Sequence, residues 1–330
     1  MSLISIIIPV HNTAGYVRRC IDSVRNQTLQ DIEIILVENL STDGSSEICD
    51  EYPSLDSRIK VLHLDVADLS TARNAGIKVA TSPYLGFIDS DDHIDPEMYE
   101  SMLSALQVNK AEMVYCNLRY ETENGEILRP FSDTGSIQVR PAEEMLKDIF
   151  RNNIDNSCCT KLYKRELFNT ISFPEGFLFE DHSIIYKIVH LCDTVVHIDH
   201  VFYHYIQREE SITNNWQFKK RYHFFLADYD RILFIRQHPI FSKEEEPVVV
   251  GVILKNCLRQ FRDALLKANA REKKEDIPVM KEMLRDLLPI QKDELGEKMY
   301  KRLRKVLYFT FFYRNFYLLK RKLGKEKRDE

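Results

Sequence analysis

Residues 84–92 read YLGFIDSDD. An apolar run passes without a polar break into three carboxylates, Asp89, Asp91 and Asp92, so the segment reads as a buried strand ending in an acidic turn. Outward from it, residues 3–9, 32–37, 58–64 and 111–116 have the same β-rich apolar character. Residues 16–27, 45–51, 70–80 and 96–107 read as the helices between them. Strand–helix alternation at this spacing means right-handed crossovers and a mostly parallel sheet with helices on both faces. In such sheets ligands bind beyond the C-terminal strand ends, here the loops 9–14, 38–45, 65–70 and 89–96.

Past residue 118 the pattern changes. Residues 119–140 read as a hairpin turned at Asn124-Gly125, followed by a helix over 141–151 and a short strand over 161–163. Glu180-Asp181 opens a helix running to 191, and 194–198 and 201–207 read as two strands. From Trp216 the periodicity is helical, with breaks expected near Pro239, Pro247, Pro278 and Pro289. The expected organisation is an α/β domain over 1–212, in halves 1–118 and 119–212, followed by a helical region over 213–330.

Composition sets bounds on the function. The chain has 330 residues, 44% hydrophobic and 29% charged, which excludes a disordered or fibrous protein. Lys plus Arg is 46 against 51 Asp plus Glu, a net −5. From Gly296 onward twelve basic residues face four acids, so this end carries +8 and the remainder −13. Seven cysteines without a C-x-x-C pair read as reduced, buried thiols. The opening MSLISIIIPVHN lacks a basic n-region, and no stretch reaches the ~18 uncharged apolar residues of a spanning helix. The expected location is cytoplasmic, free or peripheral at the inner face of the plasma membrane.

Three clusters carry chemistry. Asp89, Asp91 and Asp92 repel one another at a strand end unless a hard cation joins them, as Mg2+ or Mn2+ does together with a substrate diphosphate. The alternative is an acidic surface turn. Arg73, in STARNAGI at 70–77, offers a planar cation to a base or phosphate, or pairs with a nearby acid on a capped surface helix. Glu180-Asp181 is either a helix-capping pair or a source of the general base. His197, His200 and His204 read as core or surface histidines.

The order of these motifs resembles family 2 glycosyltransferases. SIIIPVHN at 5–12, Cys20-Ile21-Asp22-Ser23-Val24 with Gln27-Thr28, and DIEIILVENLSTDGS from Asp31 match the opening of that family. STARNAGI, YLGFIDSDD, KLYKRELF from Lys161 and FPEGFLFED from Phe173 continue the match to about residue 212. The resemblance implies a GT-A fold and transfer of a sugar from a nucleotide-sugar donor, UDP by family weight, commonly with inversion and a divalent metal. By position it implies Pro9, His11, Asn12, Glu38 and Asn39 at the base, with Arg73 nearby. It implies Asp89 at the ribose and the metal, Asp91 as metal ligand, Asp92 beside the donor sugar and Asp181 as general base. The implied acceptor is a saccharide or lipid-linked saccharide in bacterial surface-polysaccharide assembly.

Departures cluster at the base. The family's Asp-Asp-Gly-Ser-x-Asp loop reads Glu38-Asn39-Leu40-Ser41-Thr42-Asp43 here, and His11 replaces the usual Tyr. Leu40 in place of Gly is expected to limit positive φ and reshape the turn. A nucleotide-sugar-binding scaffold with impaired turnover is therefore an alternative reading. A sugar nucleotidyltransferase is another, although 9–15 lacks the Gly-rich loop it needs. The basic, aromatic stretch 300–328 reads either as an interfacial helix on an anionic membrane or as a packed helix with a solvated basic side. Nucleic acid is not an expected partner, because the rest of the chain is acidic.

Overall fold

The computed structural model describes residues 2–129, 131–208, 217–287 and 292–308. The chain forms two compact units, Met1–Ser211 and Ile212–Glu330. In the first, β1 (Ile4–Val10) and β2 (Ile32–Asn39) are buried at every position, as a sheet covered on both faces requires. With β3 (Ile59–Leu64) and β4 (Tyr84–Phe87) they make the parallel series β3-β2-β1-β4. Between them run α1 (Val17–Arg25), α2 (Ser45–Leu55) and α3 (Leu69–Val79). On α1, Val17, Cys20, Ile21 and Val24 are buried, the i, i+3, i+4, i+7 stripe of a helix lying on a sheet. On α3, a Cβ added at Gly76 would collide with the Ile7 side chain, so the helix rests directly on β1.

Pro9 sits in this sheet without leaving a ladder position unpaired. The carbonyl of Leu3, just before β1, accepts from Tyr84 on β4, and that of Ile7 from Ile88 just past β4, so odd-numbered residues of β1 direct their carbonyls to that side. The β1–β4 ladder ends at Ile7–Phe87, so the N–H that proline lacks falls where the strands part.

The second half joins the same sheet. It comprises β5 (His93–Ile94), α4 (Met98–Val108), β6 (Met113–Thr122), β7 (Ser136–Pro141), α5 (Ala142–Arg151), β8 (Lys161–Lys164), α6 (Glu180–His190) and β9 (Thr194–Gln207). The order continues β4-β8-β6-β9-β5, with β7 also on β9; β8 is antiparallel to both neighbours, and β6 and β9 are parallel. This is the expected α/β architecture, with two local differences. The hairpin expected over 119–140 is confined to the turn at 122–126 and one bridge, Glu121–Ile127, and β7 pairs with β9 instead. The two strands expected over 194–207 are one. Polar Asp199 stays inside β9 because Asn117 Nδ2, Ser132 Oγ and Thr134 Oγ1 all donate to its carboxylate, while a bulge at Asn117 absorbs the register shift.

The second unit is helical: α7 (Phe218–Gln237), α8 (Glu245–Lys267), α9 (Ala270–Asp286) and α10 (Lys292–Tyr308). Pro239 falls in the break after α7, as expected. Pro247 lies in the first turn of α8, where its missing N–H has no helical partner to lose, and Pro278 is inside α9, so neither ends a helix. Pro289 lies outside the described residues. No helix among the described residues is long and apolar enough to cross a membrane. Of the basic stretch 300–328, the part to Tyr308 is on α10, with Leu303, Val306 and Leu307 buried; residues 309–328 lie outside the described residues.

Candidate active site

The C-terminal ends of β1, β2, β4 and β9 open on one edge of the sheet. On the β1–β2 side, His11 donates Nδ1–H to the Asn39 carbonyl at 2.7 Å, and its Nε2 accepts from Asn12 Nδ2 at 3.2 Å. Asn12 takes φ 51°, and its Oδ1 accepts from Thr42 N–H at 2.8 Å. Glu38 accepts from Ser41 N–H at 2.6 Å and meets His63 at 3.3 Å. Burial opposes its ionisation, but these partners hold its carboxyl below the usual range. Asn39 Oδ1 accepts from Asp68 N–H at 3.2 Å. His11, Asn12, Glu38 and Asn39 thus form one connected rim, closed by Ser41 Oγ accepting from Asn12 N–H, while Pro9 lies within β1 just before it. The expected limit on positive φ does not hold at Leu40, which itself adopts φ 59°, a left-handed conformation, with its side chain 50% exposed.

On the β4 side the organising residue is Arg73. Asp68 caps α3 by accepting from Thr71 N–H at 2.8 Å, which fixes the first turn and places Arg73 against the end of β4. The Arg73 side chain is 1% exposed. It donates to Asp89 Oδ1 at 2.8 Å, to Asp181 Oδ1 at 3.2 Å and to Glu180, with Phe173 5.2 Å beneath its guanidinium. Of the two readings of Arg73, a cation near the base or one paired with a nearby acid, the structure shows the pairing, with the side chain enclosed as the shared counter-ion of three carboxylates. So much buried negative charge needs a buried cation, and Arg presents several donors in one plane.

Asp181 is not a cap of its own helix. Its Oδ2 accepts from Cys158 N–H at 3.1 Å, so α6 and the segment before β8 hold it from two sides. Burial raises the carboxyl groups of both Asp181 and Glu180 above their ordinary range, against the pull of Arg73. A carboxylate with raised proton affinity and a partly exposed side chain suits proton abstraction near neutral pH.

The acidic turn divides its labour. Asp91 is raised by burial and by the charge of Asp89, while Arg208, just past β9, pairs with it at 2.5 Å and opposes the shift. Asp89 is about a third exposed. Asp89 and Asp91 are the carboxylates of this turn that could offer oxygen donors to a hard divalent cation. Asp92, expected beside the donor sugar, is 1% exposed and faces inward. Its Oδ1 accepts from Ile206 N–H at 2.8 Å and its Oδ2 from Tyr203 Oη at 2.7 Å, and Tyr203 Oη accepts from Asp89 N–H at 3.2 Å. Asp92 and Tyr203 therefore tie the turn to β9, and both oxygens are used in doing so.

Among the described residues, the group whose candidate ligand atoms converge within 4.8 Å is His93, Glu121 and His204. The two rings stack at 4.4 Å and 12°, so their in-plane lone pairs run parallel rather than converge. Arg119 already meets Glu121 at 2.7 Å and His204 Nδ1 at 3.1 Å, and Asp95 meets His204 Nε2 at 2.9 Å. This is an ion-pair network joining β5, β6 and β9. Sequence reading missed Arg208 and Tyr203; the strand-end rule reaches them only once β9 is known to run parallel to β6 and β1.

Comparison with known proteins agrees with this geometry. A family model described as Glycosyl transferase family 2 matches residues 5–172. The chain is 34% identical over 232 residues to EpsH of Bacillus subtilis, covering 69% of this chain and 67% of that protein. It is 34% identical over 220 residues to the glycosyltransferase GlyG of Streptococcus pneumoniae, covering 64% of this chain and 72% of the relative. Among solved structures, S. aureus TarS 1-349 in complex with UDP superposes with a TM-score of 0.72 at 17% identity, over 99% of this chain and 93% of that one, a likeness of fold. With a family match over more than half its length on a GT-A fold, the chain is a glycosyltransferase and belongs to glycosyl transferase family 2.

Proposed function

We propose that this enzyme transfers a sugar from a UDP-linked donor to a hydroxyl of a saccharide or lipid-linked saccharide, with inversion, in the assembly of a surface polysaccharide or glycoconjugate. The carrying observation is the junction of Asp181, Arg73 and Asp89 at the strand ends. A single in-line displacement needs a base on one side of the reacting carbon and charge stabilisation for the leaving group on the other. Asp181 takes the proton of the attacking hydroxyl, its carboxylate held in place by Cys158 N–H and Arg73. Burial and the charge of Asp89 raise the proton affinity of that carboxylate, and Arg73 opposes the rise. Asp91 with Asp89 would hold Mg2+ or Mn2+, whose positive charge, when bound, stabilises a departing diphosphate.

The fold neighbour TarS has been solved with UDP and with UDP-GlcNAc, and relatives include proteins named for chondroitin, hyaluronan and teichuronic acid synthesis, which supports a nucleotide-sugar donor and a polysaccharide setting. The expected outcome for Asp181→Asn is lost transfer with donor binding retained, read by transfer assay and by calorimetry with UDP-sugar and Mn2+. Near-normal turnover would remove Asp181 from the role of base. Wild-type protein that binds the donor yet neither transfers nor hydrolyses it would favour a binding scaffold. The basic stretch 300–328 extends the proposal to an anionic membrane surface. Replacing exposed Lys301, Arg304 and Lys305 with Ser should weaken sedimentation with anionic liposomes, and unchanged binding would refute that extension.

A further inference from the structure

We propose that Arg208 is a built-in counter-ion that occupies Asp91 in place of the divalent cation and must leave Asp91 before the cation binds; this rests on the reading of Asp91 as a metal ligand. Arg208 and Asp91 are paired at 2.5 Å, and each side chain is 21% exposed. The guanidinium therefore covers a carboxylate that is itself largely withdrawn from water. The neighbouring candidate ligand, Asp89, is neutralised in the same way by Arg73. These two pairings differ in kind. Arg73 is 1% exposed and shared among three carboxylates on α6 and the β4 turn, so it cannot leave. Arg208 stands at the end of a strand, in the wall of a cavity of about 550 Å3 lined also by Tyr16, Glu123 and Gln207.

That cavity supplies a second seat. The Arg208 guanidinium already lies over the Tyr16 ring, 5.1 Å from its centre, and the Tyr16 hydroxyl donates to Glu123. By pivoting away from Asp91 the guanidinium keeps the ring face and exchanges one carboxylate for another. A cation approaching Asp91 alone must therefore displace a unit positive charge already held there. A cation arriving with a diphosphate brings anionic oxygens that offset the displaced charge. The consequence is weak cation binding by the nucleotide-free protein and strong binding in the presence of a nucleoside diphosphate.

The experiment measures Mn2+ binding to the full chain by electron paramagnetic resonance of free Mn2+, without nucleotide. Arg208→Gln is expected to bind Mn2+ about tenfold more tightly than wild type, since a competing unit charge within a few ångströms is gone. Arg208→Lys, which keeps the charge, should stay within about threefold of wild type by the same reasoning. Tyr16→Phe, which keeps the ring face and frees Glu123 of the Tyr16 hydroxyl, should shift affinity in the direction of Arg208→Gln by a smaller factor, and serves should the Gln variant fail to fold. Equal or weaker Mn2+ binding by Arg208→Gln, with binding abolished in Asp91→Asn, overturns the counter-ion role and leaves the metal reading standing. Mn2+ binding unchanged in Asp91→Asn as well overturns both.

Discussion

Replacing Arg73 with Met removes the buried cation while keeping most of its volume. Three carboxylates lose their partner, with side-chain exposures of 10% for Glu180, 21% for Asp181 and 32% for Asp89. Only the Glu180 pair is buried on both sides, so the penalty for breaking a buried pair, roughly 3–5 kcal/mol, applies once. The two wetter pairs add at most about 1 kcal/mol each. The sign of the pH dependence follows from the carboxyls. Glu180 and Asp181 sit above their ordinary range even with Arg73 present, and its loss moves them further up. As pH falls the variant therefore takes up protons before the wild type does, and the uncompensated charge disappears. Its destabilisation shrinks by about 1.4 kcal/mol per pH unit wherever it holds one more proton than wild type, so it should be roughly 2 kcal/mol smaller at pH 6 than at pH 8. Urea unfolding of the full chain at both values, followed by circular dichroism, measures this. A loss below about 1 kcal/mol, or one independent of pH, would show that Arg73 is not the counter-ion of a buried acidic cluster.

Two further substitutions probe the frame around the site. Asp92→Asn places an amide N–H2 against either Ile206 N–H or the Tyr203 hydroxyl, so it should destabilise by roughly 1–3 kcal/mol and weaken Mn2+ binding with nucleotide, because the turn carrying Asp89 and Asp91 loosens. Unchanged melting temperature and Mn2+ affinity would refute the tie. Glu33 is opposed by burial, yet hydrogen bonds from Ser5 and Thr81 and the Lys60 partner bring its carboxyl down to about 2. The stability this contributes is fully present above the unfolded-state value and is lost as pH falls from there towards 2. Glu33→Gln should accordingly lower the melting temperature at pH 7 and make little difference near pH 2.5, and an equal shift at both would contradict the assignment.

Much of this was legible in the chain because periodicity and residue type point the same way. The all-apolar runs of β1, β2 and β4 need a covered sheet, and Asp89, Asp91, Arg73 and Asp181 lie where strand ends and helix starts must face each other. What escaped was set by tertiary partners. Nothing local in KLYK shows that β8 runs antiparallel between two strands, and the polar IDH at 198–200 reads as a break until Asn117, Ser132 and Thr134 are seen to satisfy Asp199. Spacing places Arg73 and Asp92 at the strand end but does not show which way their side chains turn, and both prove to be enclosed. Leu40 shows the converse limit: propensity disfavours its φ of 59°, and the surrounding hydrogen bonds hold it there.

The placement of β8 has a consequence for how the molecule comes into being. β4 and β6 are separated in the chain by β5 and α4, yet in the sheet they are not neighbours, because residues 161–164 lie between them. During synthesis both strands expose an open edge until residue 164 has emerged, and the sheet that carries Asp89 is incomplete until then. A fragment ending at residue 118 would carry every nucleotide-side motif and still lack the strand that seals it. The acceptor-side segment is thus a condition for the donor side to fold, which opposes exchange of the two halves between relatives as separate modules.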